Sequence, residues 1–266
     1  MHKLVRLLRL LKHQLKILIS SNPIQSWKKR SVVREIDGKV VTVAKEFNAR
    51  KPWVFQFEID GYPFGGKTPS TNLPAVQGFA RAFPDATTIM ELGSLEGAET
   101  IALSKLPSTK RVLGLEGRDY NVDKAKFIQQ LLGIANIEYV VANLEEADLT
   151  KYGSFDAVYC RGVLYHLPNP WHLIQQTAQV SPRLYLDTHF VTDEQADTRV
   201  DGWNGWYYQE WGYQDPESGL SPRSFWLSRS SLLRLLNDCG YQNVTVLKED
   251  MDNPNGPRIT VVARFE

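Results

Sequence analysis

The chain has 266 residues, enough for one well-buried core with a small additional lobe. Its 42% hydrophobic and 23% charged residues are ordinary for a soluble globular protein. Residues 1–30 carry eight Lys or Arg and no acid, so the remaining 236 residues have a net charge of −7. A mildly acidic body argues against tight binding of nucleic acid, and two cysteines exclude a disulfide framework and favour a reducing compartment.

Residues 2–19 are predicted to form an amphipathic helix, which Asn22-Pro23 ends, so residues 1–22 are assigned as a separate element. Basic residues and histidines fall on one narrow stripe, and leucines cover the opposite face. Charges interrupt the segment too often for it to span a bilayer. It fits an anchor at a membrane surface, a helix that docks on its own domain or on a second copy, or a transit peptide. We therefore expect a cytoplasmic protein, with peripheral membrane contact or a homodimer as the alternatives.

Residues 23–85 are predicted to be an N-terminal extension. Residues 53–61 alternate as a strand does, and residues 72–83 can form a helix. Between them, residues 62–69 contain too much Gly and Pro for either regular element. We predict a loop there that folds over a cofactor, with Lys67 as a candidate partner for a carboxylate.

Residues 86–266 alternate between short apolar strands and helices. This spacing predicts an α/β fold with a doubly wound, mostly parallel sheet of seven strands and helices on both faces. Ligands bind such sheets beyond the carboxyl ends of the strands. The polar residues expected at those ends are Glu91, Gly93, Glu116, Asn143, Arg161 and Asp187.

The stretch from Thr87 to Thr100 is predicted to be a buried strand, a glycine turn and the start of a helix near Gly97. A glycine turn lets backbone approach a ligand closely, and a helix start offers unpaired N–H groups. A dinucleotide site would need Gly-x-Gly-x-x-Gly, but only Gly93 matches that register, which has Leu95 and Ala98 at its other two positions. The turn therefore predicts another nucleotide-type cofactor.

The motifs resemble those of the class I S-adenosylmethionine-dependent methyltransferases. Glu91, Gly93 and Gly97 match the acid-x-Gly-x-x-x-Gly motif of that family, and Glu116 stands where its second acid holds the ribose hydroxyls. Residues 155–167, Phe-Asp-Ala-Val-Tyr-Cys-Arg-Gly-Val-Leu-Tyr-His-Leu, are similar to a segment of many bacterial methyltransferases, including the tRNA wobble-uridine carboxymethyltransferases. The resemblance implies S-adenosyl-L-methionine as the cofactor. The residues implied or proposed to bind it are Glu91, Gly93, Ser94, Gly97, Glu116, Asn143, Arg161 and Lys67.

Residues 190–226 interrupt the alternation with four tryptophans and several tyrosines and glycines. Insertions around the later strands often build the acceptor pocket in methyltransferases of this fold. Aromatic faces suit a sugar, an aromatic ring or a nucleobase, although a second small core under a long loop is the alternative. The predicted acceptor-binding residues are Tyr165, Trp203, Trp206, Tyr208 and Trp226.

An oxygen acceptor needs a base that removes its proton, and histidine is suited to this near neutral pH. His189 follows the fifth strand of the predicted core, His166 follows the fourth, and Glu210 lies in the aromatic insertion. These three residues are the catalytic candidates. No spacing typical of a metal site is present, so we predict no metal.

We expect a methyltransferase that acts on an oxygen, or a nitrogen, of a small molecule, a sugar or a specialised metabolite. One alternative is a tRNA-modifying enzyme related to the wobble-uridine group. That group uses a carboxylated donor, and the basic residues 28–30 support this alternative. Another is a non-catalytic, membrane-associated scaffold with the same fold. The acceptor itself cannot be identified from these residues.

Overall fold

The computed structural model describes Lys29 and residues 31–266. The predicted helix of residues 2–19, and the membrane and dimer predictions that depend on it, fall outside this part of the chain. Among the described residues, no helix has both the length and the apolar character that crossing a membrane requires. Two compact units divide the chain between Thr68 and Pro69.

The first unit contains a β-hairpin, a short helix and a small antiparallel sheet around an aromatic cluster. Phe47 packs against Trp53 and Phe64, with ring centroids 4.7 and 5.1 Å apart. The Trp53 indole donates to the Phe47 carbonyl at 2.8 Å. Its elements are β1 Val33–Ile36, β2 Lys39–Thr42, α1 Val43–Ala49, β3 Phe55–Ile59 and β4 Tyr62–Gly65, and β5 Thr68–Pro69 reaches the boundary.

The loop predicted over residues 62–69 is partly wrong. Tyr62–Gly65 pairs antiparallel with β3, and Phe64 lies buried opposite Phe57. Gly65 has φ +95°, and a Cβ there would lie 2.5 Å from the Phe55 carbonyl oxygen, so this strand needs the glycine that argued against it. Lys67 follows the strand, and its backbone N–H donates to the Val54 carbonyl at 3.1 Å.

The second unit contains the seven-stranded sheet that the sequence predicts. Its strand order is β14-β15-β10-β9-β6-β7-β8; β15 runs antiparallel to both neighbours and the other pairs are parallel. Buried aliphatic side chains from the strands and the flanking helices form one core. Its elements are α2 Pro74–Ala82, β6 Thr88–Leu92, α3 Ala98–Ser104, β7 Arg111–Glu116, α4 Asp119–Leu131, β8 Ile137–Val141, β9 Ala157–Arg161, α5 Pro170–Val180, β10 Arg183–His189, β11 Thr198–Val200, β12 Trp203–Gln209, β13 Arg223–Leu227, α6 Arg229–Asp238, β14 Asn243–Asp250 and β15 Arg258–Arg264.

The helix ends follow from local chemistry. The Ser228 hydroxyl accepts from the Ser231 N–H and caps α6. Asn121 lies inside α4, and its amide donates to Glu116. The aromatic insertion is a three-stranded antiparallel sheet of β11, β12 and β13, which the sequence analysis did not predict.

Candidate active site

The turn after β6 has positive φ angles, a backbone conformation that residues other than glycine rarely adopt. Gly93, Leu95 and Gly97 have φ of +78°, +47° and +81°, all in the left-handed region that favours glycine. The N–H groups of Gly93 and Ser94 donate to the Leu115 carbonyl at 2.9 and 3.0 Å. A Cβ on Gly93 would lie 3.0 Å from Val163. The turn at the carboxyl edge of the sheet therefore has a strained, closely packed backbone that favours glycine at positions 93 and 97.

Glu91 is buried and is the second-to-last residue of strand β6. Thr100 donates a hydrogen bond to its carboxyl group. Burial, and secondarily the neighbouring Glu99, raises the pKa of Glu91 well above its usual value. Its role is to tie the strand to α3 and so to fix the turn between them.

Glu116, at the end of β7, lies directly beside the turn. Its carboxylate accepts from the backbone N–H of Leu95 and of Arg118, both at 3.0 Å, and from the Asn121 amide at 3.3 Å. Burial raises the pKa of Glu116, and these three donors oppose that rise. Ser94 is also buried, and its hydroxyl has no hydrogen-bond partner in the described part of the chain. An unpaired buried hydroxyl beside a carboxylate marks a polar ligand site.

Asn143 and Arg161 follow β8 and β9 at the same edge. Asn143 is exposed, and its side-chain carbonyl accepts from the Glu145 N–H at 3.0 Å. Arg161 pairs with Glu99 at 2.6 Å and lies 3.9 Å from Asp187. Glu99 and Asp187 both neutralise the Arg161 guanidinium. Arg161 is therefore not an unpaired cation that could bind a carboxylate of the donor.

His189 ends β10, where the antiparallel β15 holds its side chain. Nδ1 lies 3.0 Å from the Gly256 carbonyl oxygen and 3.2 Å from that of Pro257. Carbonyls only accept, so Nδ1 carries the proton, and Nε2 of the neutral ring keeps its lone pair. Burial and the Arg258 cation lower the pKa of His189 below 6.5. With Nε2 unprotonated, His189 stays a candidate for the general base.

Glu210 and His166 form a second arrangement near His189. The Glu210 carboxylate accepts from His166 Nδ1 at 3.0 Å, Ser218 Oγ at 2.5 Å, the Gly219 N–H at 2.7 Å and Ser224 Oγ at 2.7 Å. Burial alone would raise the pKa of Glu210, but these donors lower it to about 2. A carboxylate with four donors and so low a pKa is a poor proton acceptor, so the geometry favours a structural role for Glu210.

An aromatic wall, formed by Tyr165, Trp206, Tyr208 and Trp226, adjoins His189. Trp226 stacks on His189 and on Tyr208, with ring centroids 5.1 and 4.9 Å apart. Tyr165 packs edge-on to His189 at 4.6 Å. Trp206 lies directly opposite Trp226 in the β12–β13 pairing, with centroids 6.3 Å apart. Four of the five predicted acceptor residues therefore come together.

Trp203 does not join this wall. Side chains alternate along β12, so Trp203 lies on the face opposite that of Trp206 and Tyr208. There it lines a cleft of about 310 Å³ with residues of α5 and α6, and the Arg234 guanidinium covers its ring at 4.6 Å. The grouping of Trp203 with the other acceptor residues is wrong for this reason.

The sequence analysis missed several residues that shape the site. Arg258 pairs with Asp187, with Nε 2.7 Å from Oδ1, and Thr260 donates to the same carboxylate at 2.6 Å. Gly256 supplies a carbonyl to His189 and leaves room for Trp226, because a Cβ there would lie 2.7 Å from the indole. The pairing register of β15 with β10 places these residues beside Asp187 and His189. No local sequence pattern predicts that register.

Comparison with known proteins identifies the family to which this chain belongs. Residues 66–246 match a family described as a methyltransferase domain. The N-terminal domain of EvdMO1, crystallised in the presence of SAH (S-adenosylhomocysteine) and D-fucose, is 36% identical with a TM-score of 0.76, covering 84% of this chain and 96% of that one. The same domain with SAH bound gives 35% and 0.77 over the same shares.

The complete EvdMO1 structure is 34% identical with a TM-score of 0.67, and covers 84% of this chain but 47% of that one. No curated protein sequence matches. A doubly wound sheet, a left-handed turn beside two strand-end acids and these matches define a methyltransferase fold. The chain belongs to the class I S-adenosylmethionine-dependent methyltransferases, and it is an enzyme of that family.

The donor-site residues fit S-adenosylmethionine. Glu116 stands at the end of β7, where a carboxylate can accept from ribose hydroxyls, and the unpaired Ser94 hydroxyl lies in the turn beside it. Gly97 lets the turn pack closely against Tyr139, because a Cβ there would lie 2.4 Å from the Tyr139 hydroxyl. The Glu116 carboxylate and the Ser94 hydroxyl, together with the start of α3, suit a nucleoside with a charged tail. Lys67 belongs to the other unit, and its contact with the donor stays a prediction.

Proposed function

We propose that the enzyme transfers the methyl group to a hydroxyl oxygen of a sugar or a sugar-bearing small molecule. The observation that carries this proposal is the neutral His189, whose Nε2 keeps its lone pair beside an aromatic wall. S-adenosylmethionine, when bound, supplies a methyl group that its sulfonium already activates. What the protein must add is therefore a held acceptor oxygen and a base for its proton.

With the donor bound, His189 Nε2 would take the proton of the acceptor hydroxyl while that oxygen replaces sulfur on the methyl carbon, so that the methyl ether, SAH and the imidazolium are the products. The Gly256 and Pro257 carbonyls hold the imidazole in the required tautomer, so no rearrangement precedes the proton transfer. A ring that begins neutral becomes imidazolium, and nearby Asp187 offsets part of the new charge.

The aromatic wall favours a sugar as the acceptor. Tyr208 is exposed and stacks on Trp226, which offers flat apolar surface to the C–H face of a sugar ring. The indole N–H groups of Trp206 and Trp226 are buried without a hydrogen-bond partner among the described residues, and hydroxyl oxygens would satisfy them. The similarity to EvdMO1, which was crystallised with D-fucose present, supports the same class of acceptor.

Mass spectrometry of reaction products tests this proposal. The purified protein is incubated with S-adenosylmethionine and, separately, with methyl glycosides of 6-deoxyhexoses, a small phenol and a primary amine. We expect an added methyl group on a sugar hydroxyl and none on the amine. Transfer to the phenol or the amine alone, or no transfer to any sugar by protein that binds SAH, would falsify the proposal.

A further inference from the structure

The segment of residues 212–220, here called the cover segment, links β12 to β13 and is fastened to the loop that follows β7. Arg118, only 6% exposed, provides the main attachment. Its Nε donates to the Tyr213 carbonyl at 2.9 Å, and its Nη2 to the carbonyls of Ser218 at 2.6 Å and Gly212 at 3.1 Å. A buried guanidinium bound to three carbonyls of one loop holds that loop in one place.

Further contacts fix the cover segment at the start of α4. The Tyr213 hydroxyl donates to Asp119 at 2.6 Å, and the Tyr120 hydroxyl donates to the Tyr213 carbonyl at 3.0 Å. Leu220 covers Gly117, because a Cβ on that glycine would lie 2.7 Å from Leu220 Cδ1. Leu220 therefore fills the space of the side chain that is missing directly after Glu116.

The same segment also meets the acceptor side. The Ser218 hydroxyl and the Gly219 N–H both donate to Glu210. A Cβ on Gly219 would lie 2.5 Å from the His166 carbonyl oxygen, so the backbone passes very close to that residue. The cover segment thus contacts both the loop beside Glu116 and the Glu210–His166 pair, which adjoins Tyr165 of the aromatic wall.

We propose that the cover segment is part of the donor site. Leu220 provides an apolar contact for the adenosyl group beside Glu116, and Arg118 is the positioning residue that holds Leu220 there. Arg118 suits this role because its backbone N–H donates to Glu116 while its side chain holds the segment. The proposal concerns the donor and does not depend on which acceptor the enzyme uses.

Calorimetric titration with SAH tests the proposal without an acceptor. Leu220→Ala removes apolar contact area and is expected to raise the SAH Kd about 5- to 20-fold. Arg118→Lys keeps the charge beside Glu116 but cannot reach three carbonyls, so a rise of about 10-fold is expected. The matched controls are Leu233→Ala, a half-buried leucine of α6, and Arg234→Lys, whose guanidinium donates to the Gly202 carbonyl at 2.6 Å.

Hydrogen exchange of the wild-type protein gives an independent readout. SAH is expected to slow exchange in residues 212–220 as well as in residues 93–121. Protection of residues 93–121 alone, or variants at positions 118 and 220 that bind SAH as tightly as the wild type, overturns the proposal. Equal weakening by Leu220→Ala and Leu233→Ala overturns it too, because the effect is then one of general stability.

Discussion

The two histidines beside Tyr165 are held in opposite ways. His189 donates to two backbone carbonyls, which orient the ring without adding a charge, and its Nε2 stays an acceptor. His166 donates instead to Glu210, a carboxylate that three further groups also support. The difference in hydrogen-bond partners leaves Nε2 of His189 as an acceptor and ties His166 to a carboxylate, so we expect His189, and not His166, to be the base.

Replacement of His189 is expected to have the largest effect on activity. His189→Gln removes the base and should lower kcat about 10²- to 10⁴-fold, while the affinity for SAH changes less than about twofold. Steady-state kinetics and calorimetry measure the two quantities, with His172→Gln as a control at a histidine outside the site. A greater loss of kcat in His166→Gln than in His189→Gln would reverse the assignment.

Glu210→Gln is expected to reduce stability more than catalysis. The folded-state pKa of Glu210, about 2, lies below the ordinary 4.5 of a glutamate. The stability that its ionised form contributes is therefore complete above about pH 4.5 and is lost as the pH falls toward 2. We expect the variant to lose about 2 kcal/mol at pH 7 and to approach the wild type near pH 3, by denaturant unfolding.

The matched control for that measurement is Glu217→Gln, which changes an exposed glutamate in the cover segment. It should leave the unfolding free energy within about 0.5 kcal/mol of the wild type at both pH values. A pH-independent loss in Glu210→Gln would show that the carboxylate charge is not what stabilises the site.

Arg258→Gln separates the electrostatic setting of His189 from its hydrogen bonds. The Arg258 cation helps to lower the pKa of His189, so its removal lets the imidazolium form more easily. The acidic limb of the kcat/KM profile should therefore move to higher pH. Arg229→Gln, which breaks a surface pair with Glu249, should leave the limb in place; a downward shift in Arg258→Gln would contradict the expectation.

Trp206→Phe is expected to have the smallest effect. It keeps an aromatic ring in the wall but removes the unpaired indole N–H, so the acceptor KM should rise about 3- to 10-fold with kcat nearly unchanged. Trp203→Phe, on the other face of β12, is the control and should change neither value. Equal effects of the two substitutions would mean that Trp206 contributes packing and no hydrogen bond.

The positions of the residues around the turn after β6 could be predicted from the sequence because they depend on short-range rules, while their contact with the donor stays a prediction. Glu91, Gly93 and Glu116 are placed by the ends of parallel strands, which meet at one edge of the sheet. Leu95, which is not a glycine, nevertheless has a left-handed φ of +47°. Its backbone N–H donates to Glu116, a contact that the sequence did not predict.

The acceptor side depends on register and on strand faces, which local patterns do not reveal. Trp203 and Trp206 were grouped because they are close in sequence, and only recognition of β12 separates them by alternation. Glu210 was identified as a base from its residue type, yet four donors from distant positions decide its chemistry. Arg258 reaches Asp187 through the pairing of β15 with β10, a register that residue patterns leave open.

The pairing of His189 with the carbonyls of Gly256 and Pro257 also has a consequence for biosynthesis. The ribosome translates residues 256–258 long after His189, whereas the complete donor turn and Glu116 precede His189 in the chain. The nascent protein therefore contains every residue of the turn after β6 before the Gly256 and Pro257 carbonyls can orient the His189 ring.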